Sequence, residues 1–163
     1  MNIIDNFLLP EDFNSIQNLM MGGEFPWYWN PFINYDTDVT NEYQFTHNFY
    51  ERARNGINSD FMPLLSSCIL KLKIQSLIRI KANLNVSTKE SKILGGYHID
   101  TNDCTTSILY INTNNGCTIF EDGNKVECVA NRMVIFDSNT KHTGMTCTDE
   151  KNKVLINFNY YGT

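Results

Sequence analysis

The sequence has no basic surplus, no long apolar run and few histidines. Its 13 Lys and Arg stand against 18 Asp and Glu, a formal net charge of −5. The electrostatic footprint of a protein that grips a nucleic-acid backbone irrespective of sequence is therefore missing, although a nucleotide-sized substrate is not excluded. No window reaches the roughly 18 apolar residues of a membrane helix. The opening MNIIDNFLLPEDF lacks the basic and apolar regions of a secretory signal. The 5 cysteines form no C-x-x-C pair and no finger spacing. Cys68, Cys104, Cys117, Cys128 and Cys147 are accordingly read as reduced thiols of a cytoplasmic protein. With 3 histidines, His47, His98 and His142, candidates for imidazole chemistry are few.

What is present fits one soluble domain spanning 1–163. A chain of this length buries roughly two thirds of its surface without staples. Aromatics at 12% suit strands and a lined pocket. Pro10, with acids behind it and Gly22-Gly23 after it, predicts a helix burying Phe13, Ile16, Leu19 and Met20. FPWYWNPFINYDTDV predicts a strand broken by loop, and YQFTHNFY (43–50) a further strand. NSDFMPLLSSCILKL (58–72) predicts one helix capped by Ser59 or Asp60, with Leu64, Leu65, Cys68, Ile69 and Leu72 inward. From Leu77 the period becomes two: Ile78, Ile80, Ala82 and Leu84 share one face, and Arg79, Lys81 and Asn83 the other. TIFEDGNKVECV predicts a hairpin turning at Asp122-Gly123-Asn124, followed by strands in ANRMVIFDS and KVLINFNYY. Two helices followed by about eight strands give an α+β order whose second half curls into a sandwich or barrel.

The stretch GGYHIDTNDCTTSILYIN (95–112) places a histidine and an aspartate two residues apart at the entrance to a strand. On a strand such residues face the same way, with Cα atoms roughly 6.6 Å apart. A buried unpaired carboxylate costs several kcal/mol, and a shared divalent cation removes that cost. A third ligand is then needed, and His142 in DSNTKHTGMTC is a candidate. His-x-Asp with a distant His is the facial triad of non-haem Fe(II) oxygenases. The bland reading of His98 and Asp100 is a hydrogen-bonded or solvated pair.

The segments GYHID, SILYIN, NNGCTIF, NRMVIFDSNTKH and KNKVLINFNYY, in this order, resemble the double-stranded β-helix of the Fe(II)/2-oxoglutarate dioxygenases. The resemblance is to the prolyl 4-hydroxylase-like branch and its small stand-alone bacterial and viral members. It implies a jelly-roll, cupin-like core over 77–163, with flanking helices and strands over 1–76.

It further implies that His98, Asp100 and His142 bind Fe(II), with manganese the alternative metal. It implies a cation about ten residues beyond the second histidine for the distal carboxylate of 2-oxoglutarate. Aligning the strand ends, KVLINFNY, with the family favours Lys153 over Lys151, and parity puts Lys153 on one face with Leu155, Asn157 and Asn159. Tyr110 stands where the family often places a hydroxyl on that carboxylate, with Thr106 on the same face. Where the family often has Asn-Tyr this chain has Asn83-Leu84, leaving Asn83 as a pocket residue. Asn115-Gly116 replaces a usual Gly-Gly, with asparagine expected to tolerate the left-handed turn.

The implied reaction uses Fe(II), 2-oxoglutarate and O2 to hydroxylate a C–H bond, releasing succinate and CO2. The implied partners are 2-oxoglutarate and a peptide or small-molecule substrate, with a peptidyl prolyl or similar side chain favoured. Trp27, Tyr28 and Trp29, with Tyr35 and Tyr50, form either an aromatic lip or packing. His47 is a less favoured fourth ligand, since it would close the position O2 needs. The rival readings are a nucleobase hydroxylase or demethylase, and a metal-bearing binding module without activity. The location implied is the cytoplasm, the host's if the chain is viral.

Overall fold

Pro10 has no amide hydrogen to lose and suits a first helical turn. In the computed structural model, which describes residues 1–33 and 42–162, it opens α1 (Pro10–Met21), and Gly22 caps the end by donating to Leu19 O. A short strand, β1 (Asn2–Ile4), precedes it. Then come β2 (Tyr28–Asn30), β3 (Gln44–Glu51), β4 (Gly56–Ile57) and α2 (Ser66–Lys71). The remaining elements are β5 (Ile74–Val86), β6 (Ile93–His98), β7 (Thr105–Tyr110), β8 (Asn114–Phe120), β9 (Lys125–Cys128), β10 (Met133–Asp137), β11 (His142–Met145) and β12 (Asn152–Gly162).

The strands form two antiparallel sheets. The larger runs β1-β10-β7-β12-β5-β3-β2, with β4 on β3; the smaller runs β6-β11-β8-β9. This is the jelly-roll sandwich of a double-stranded β-helix. The strands expected in FPWYWN and YQFTHNFY are β2 and β3, between the helices; the order of two helices and then strands is corrected by these and by β1 and β4, which were not expected. The early strands join the same sheet as the late ones: β1 pairs with β10, and β3 with β5.

The single helix predicted over 58–72 is also corrected. A 3-10 turn at Met62–Leu65 leads into a six-residue α2, which has no side-chain cap. Ser59 Oγ instead accepts from the Phe61 amide at 3.1 Å and lies 2.7 Å from His47 Nε2. Pro63 starts the turn because its missing donor costs nothing there. The helix stops where Lys73 takes φ of 52°.

Strand parity divides the interior in two. Ile80 and Ala82 of β5 and Val154, Ile156 and Phe158 of β12 meet Phe13, Ile16 and Met20 of α1 and Leu65 and Cys68 beside α2. On the opposite face of the large sheet, Ile108, Tyr110 and Leu155 meet Phe120, Val126 and Phe136. Each fully buried side chain of this size contributes roughly 1.5–3 kcal/mol. The first cluster fixes the helices on the large sheet, and the second joins the two sheets while leaving one end open. Among the described residues no helix is long and apolar enough to cross a membrane.

Candidate active site

The open end is a cleft of about 330 Å³. The polar face of β5 lines it with Arg79, Lys81, Asn83 and Asn85; β12 adds Lys153, Leu155 and Asn157, and β11 adds His142 and Gly144. The alternation in RIKAN therefore puts its apolar residues under the helices and its charged ones in the cleft.

Sheet register brings two histidines together from positions far apart in the chain. His98 ends β6, His142 opens β11, and they are direct cross-strand partners. Their ring centroids are 5.0 Å apart. A register shift between His142 and Gly144 is the irregularity by which a bulge re-aims a side chain. Each imidazole Nδ1 donates to a nearby carbonyl, His98 to Gly96 O and His142 to Thr140 O, both at 3.1 Å. A carbonyl only accepts, so the tautomer is set and Nε2 is left with a lone pair. Gly96 needs its glycine, since its φ is 71°.

Asp100 was expected to share a strand with His98. The structure corrects this: β6 ends at His98, and Asp100 stands just beyond it. It still arrives at the same place. The ligand atoms of His98, Asp100 and His142 all lie within 4.8 Å of one another. Asp100 Oδ2 is 4.0 Å from His142 Nε2. Asn157 Nδ2 donates to the same oxygen, and Arg79 Nη2 reaches Oδ1 at 3.0 Å. Burial would raise the Asp100 carboxyl, but Arg79, the two histidines and Lys81 outweigh it and hold it at about 2. Burial pushes His142 below the ordinary imidazole value, against the pull of Asp100. The charge states are those a divalent cation requires: an ionised carboxylate and an imidazole that resists protonation. Two imidazoles and one carboxylate around open space suit Fe(II).

Lys153 lies at the other end of the cleft and is 1% exposed. Its ammonium donates to Cys117 O at 2.7 Å and Met145 O at 3.0 Å. These bonds use two of its three donors, and no carboxylate pairs with it among the described residues. Lys151 is exposed, with its carbonyl accepting from Ser87. Gly116 and Gly144 make room for the lysine. An added Cβ would lie 3.1 Å from Lys153 Cδ at the first and 3.4 Å from Nζ at the second. Asn115 has no positive φ, so the requirement at this turn is space beside Gly116 and not a left-handed asparagine.

Tyr110 is fully buried, and its hydroxyl donates to Thr118 Oγ1 at 2.7 Å. Thr118 lines the cleft, with Tyr110 behind it. Thr106 is likewise set back, accepting from Asn159 Nδ2 at 3.0 Å. Asn83 lines the cleft, and its Oδ1 has no partner. Arg79, Lys81, Asn85, Thr118 and Asn157 were not singled out as site residues; the signal was a polar strand face inside an apolar sandwich.

His47 is elsewhere, bonded to Pro26 O and Ser59 among Phe25, Phe49 and Phe61. Trp27 packs edge-on to Phe25 and donates to Met20 O, and Tyr50 packs on the core. Tyr28 and Trp29 are exposed, and Tyr35 lies outside the described residues. Among the described residues, the tyrosine lining the cleft is Tyr97.

No family model and no curated protein matches the sequence. Solved structures do match, and they show the fold to be the one used by the 2-oxoglutarate–Fe(II) oxygenases. A prolyl hydroxylase from Trichoplax adhaerens, in complex with a hypoxia inducible factor oxygen degradation domain peptide, aligns with a TM-score of 0.66 and 16% identity. The alignment covers 99% of this chain and 83% of that one. An oxidoreductase of the 2OG-Fe(II) oxygenase family from Burkholderia pseudomallei gives 0.70 at 9% identity, over 98% and 84% of the two chains. The epimerase SnoN, in complex with Fe3+, alpha ketoglutarate and nogalamycin RO, gives 0.64 at 11%, over 98% and 78%.

Proposed function

We propose that the protein is an Fe(II)- and 2-oxoglutarate-dependent dioxygenase that hydroxylates a C–H bond of a peptidyl proline or similar side chain. One observation carries the reading: within a single cleft, a His98–Asp100–His142 cluster is accompanied by a buried lysine that has no anionic partner among the described residues. The fold shared with 2-oxoglutarate oxygenases supports it, as does a prolyl hydroxylase among the matching structures.

His98, Asp100 and His142 would hold Fe(II), and Lys153 would receive the distal carboxylate of 2-oxoglutarate. With 2-oxoglutarate and O2, the bound ion supplies the oxidant for C–H hydroxylation, releasing succinate and CO2. The protein's own residues position and exclude. Arg79 and Asn157 fix the rotamer of Asp100, and the carbonyls of Gly96 and Thr140 fix the imidazoles. Lys153 is desolvated, which strengthens its attraction for a carboxylate relative to one in water. Leu94, Ile108 and Leu155 give the cleft apolar walls.

The test is anaerobic Fe(II) titration followed by 2-oxoglutarate turnover. Stoichiometric metal binding lost in His98→Ala, with succinate formation stimulated by a peptide or amino acid, supports the proposal. Unchanged metal binding in that variant refutes the ligand assignment. A protein with no affinity for 2-oxoglutarate is a binding module and not an enzyme of this class.

A further inference from the structure

The cleft holds a second lysine that the assignments above leave unused. Lys81 is the ladder partner of Asn157, whereas Lys153 pairs with Asn85. The two rungs are four residues apart, about 13 Å along the strand. Lys153 therefore serves one end of the cleft, and Lys81 lies beside Asp100 at the other.

Lys81 lines the cleft, and its ammonium makes no hydrogen bond or ion pair among the described residues. The charges that act on it are Arg79, which repels it, and Asp100 and Glu51, which attract it. Both carboxylates are engaged elsewhere, Asp100 by Arg79 and Asn157, and Glu51 by Arg54 at 3.2 Å and Asn48 at 2.8 Å. Lys81 is half-buried in the cleft wall, so its ammonium is poorly solvated. Loading the site does not relieve this. A doubly charged metal and doubly charged 2-oxoglutarate cancel, and Arg79 cancels Asp100, which leaves Lys153 at the distal carboxylate and Lys81 without an anion.

Two acceptors share its wall. Asn157 has committed its amide nitrogen to Asp100, so its Oδ1 is fixed as an acceptor, and that atom is buried without a partner. Asn83 Oδ1 is also buried without a partner, and both residues line the cleft. An uncompensated cation beside orphaned acceptors is complementary to a carboxylate next to an N–H group. A phosphate would also pair with the ammonium, but it brings no N–H for the two orphaned oxygens.

We propose that the substrate is an amino acid, free or at the C-terminus of a peptide, with its α-carboxylate on Lys81 and its N–H on Asn83 and Asn157. This rests on the dioxygenase reading; a peptide C-terminus keeps the peptidyl substrate, and a free amino acid replaces it. The test is calorimetry on protein loaded with Mn(II) and 2-oxoglutarate, which binds without turnover. The probes are L-proline, L-leucine and L-glutamate with their amides, and tripeptides ending in each residue as free acid or C-terminal amide. At least one acid is expected to bind about tenfold or more tighter than its amide, the effect of one charge-assisted hydrogen bond. Lys81→Gln should erase that preference while 2-oxoglutarate affinity stays within about twofold, and Lys81→Arg should keep it. The free and peptide arms identify the source of the carboxylate. Absence of any acid preference, or its survival in Lys81→Gln, overturns this inference alone. Failure of Mn(II) and 2-oxoglutarate to bind overturns the dioxygenase reading and this inference with it.

Discussion

Arg79 and His142 address different oxygens of Asp100: the guanidinium Nη2 is 3.0 Å from Oδ1, and the imidazole Nε2 is 4.0 Å from Oδ2. The carboxylate is thereby oriented with Oδ1 on the guanidinium and Oδ2, which also accepts from Asn157, toward the histidines. Replacing Arg79 by leucine should weaken metal binding about 10–100-fold, the usual effect of losing a group that orients a ligand. A Mn(II) titration of Arg79→Leu would show it, and Asn157→Leu should move affinity the same way. Unchanged affinity in both would mean Asp100 is held by other means.

Lys153 and Lys151 make opposite predictions. Lys153→Met should reduce 2-oxoglutarate affinity by about tenfold or more, because a charge-assisted contact is lost, with Mn(II) affinity preserved. Lys151→Met should leave both unchanged. Separate titrations of metal and 2-oxoglutarate on each variant decide the point.

Gly116→Ala tests the space beside the lysine. The new Cβ would lie 2.8 Å from both Asn114 Oδ1 and Met145 O, and the latter is backbone. Overpacking of this kind costs about 1–3 kcal/mol, which urea unfolding would report. Since Met145 O also accepts from Lys153, 2-oxoglutarate affinity should fall more than metal affinity.

His47 should make stability depend on pH. Burial lowers its pKa below the ordinary 6.5, against the pull of its bond to Pro26. As pH falls below 6.5 the unfolded chain takes up the proton first, so stability decreases toward the lower folded value and is regained as pH rises. His142 is shifted in the same direction by its own burial. His47→Gln should therefore reduce, and not abolish, the slope of unfolding free energy between about pH 5 and 7. An identical slope in the variant would contradict the assignment.

Strand faces were legible because burial imposes a period of two. Lys153, Leu155 and Asn157 line the cleft, while Val154, Ile156 and Phe158 lie beneath the helices, as parity in KVLINFNY requires. Asp100 was found by the wrong route: its spacing from His98 suggested a shared strand, and the chain instead leaves the ladder between them. Three-residue β1 and two-residue β4 carry too little pattern to read, since long-range partners stabilise them. The polar ring of Arg79, Lys81 and Asn157 was visible as alternation. Its convergence on Asp100 depends on register between distant strands, which local sequence does not encode.

The position of β12 between β7 and β5 also bears on how the chain is made. Of the described strands it is the last to leave a ribosome, yet it fills the middle of the large sheet. Until then β5 and β7 each present an unpaired edge, the kind of surface on which nascent chains aggregate. Self-association during translation is therefore a hazard for this molecule, and its yield in a host should depend on how well emerging chains are shielded by chaperones.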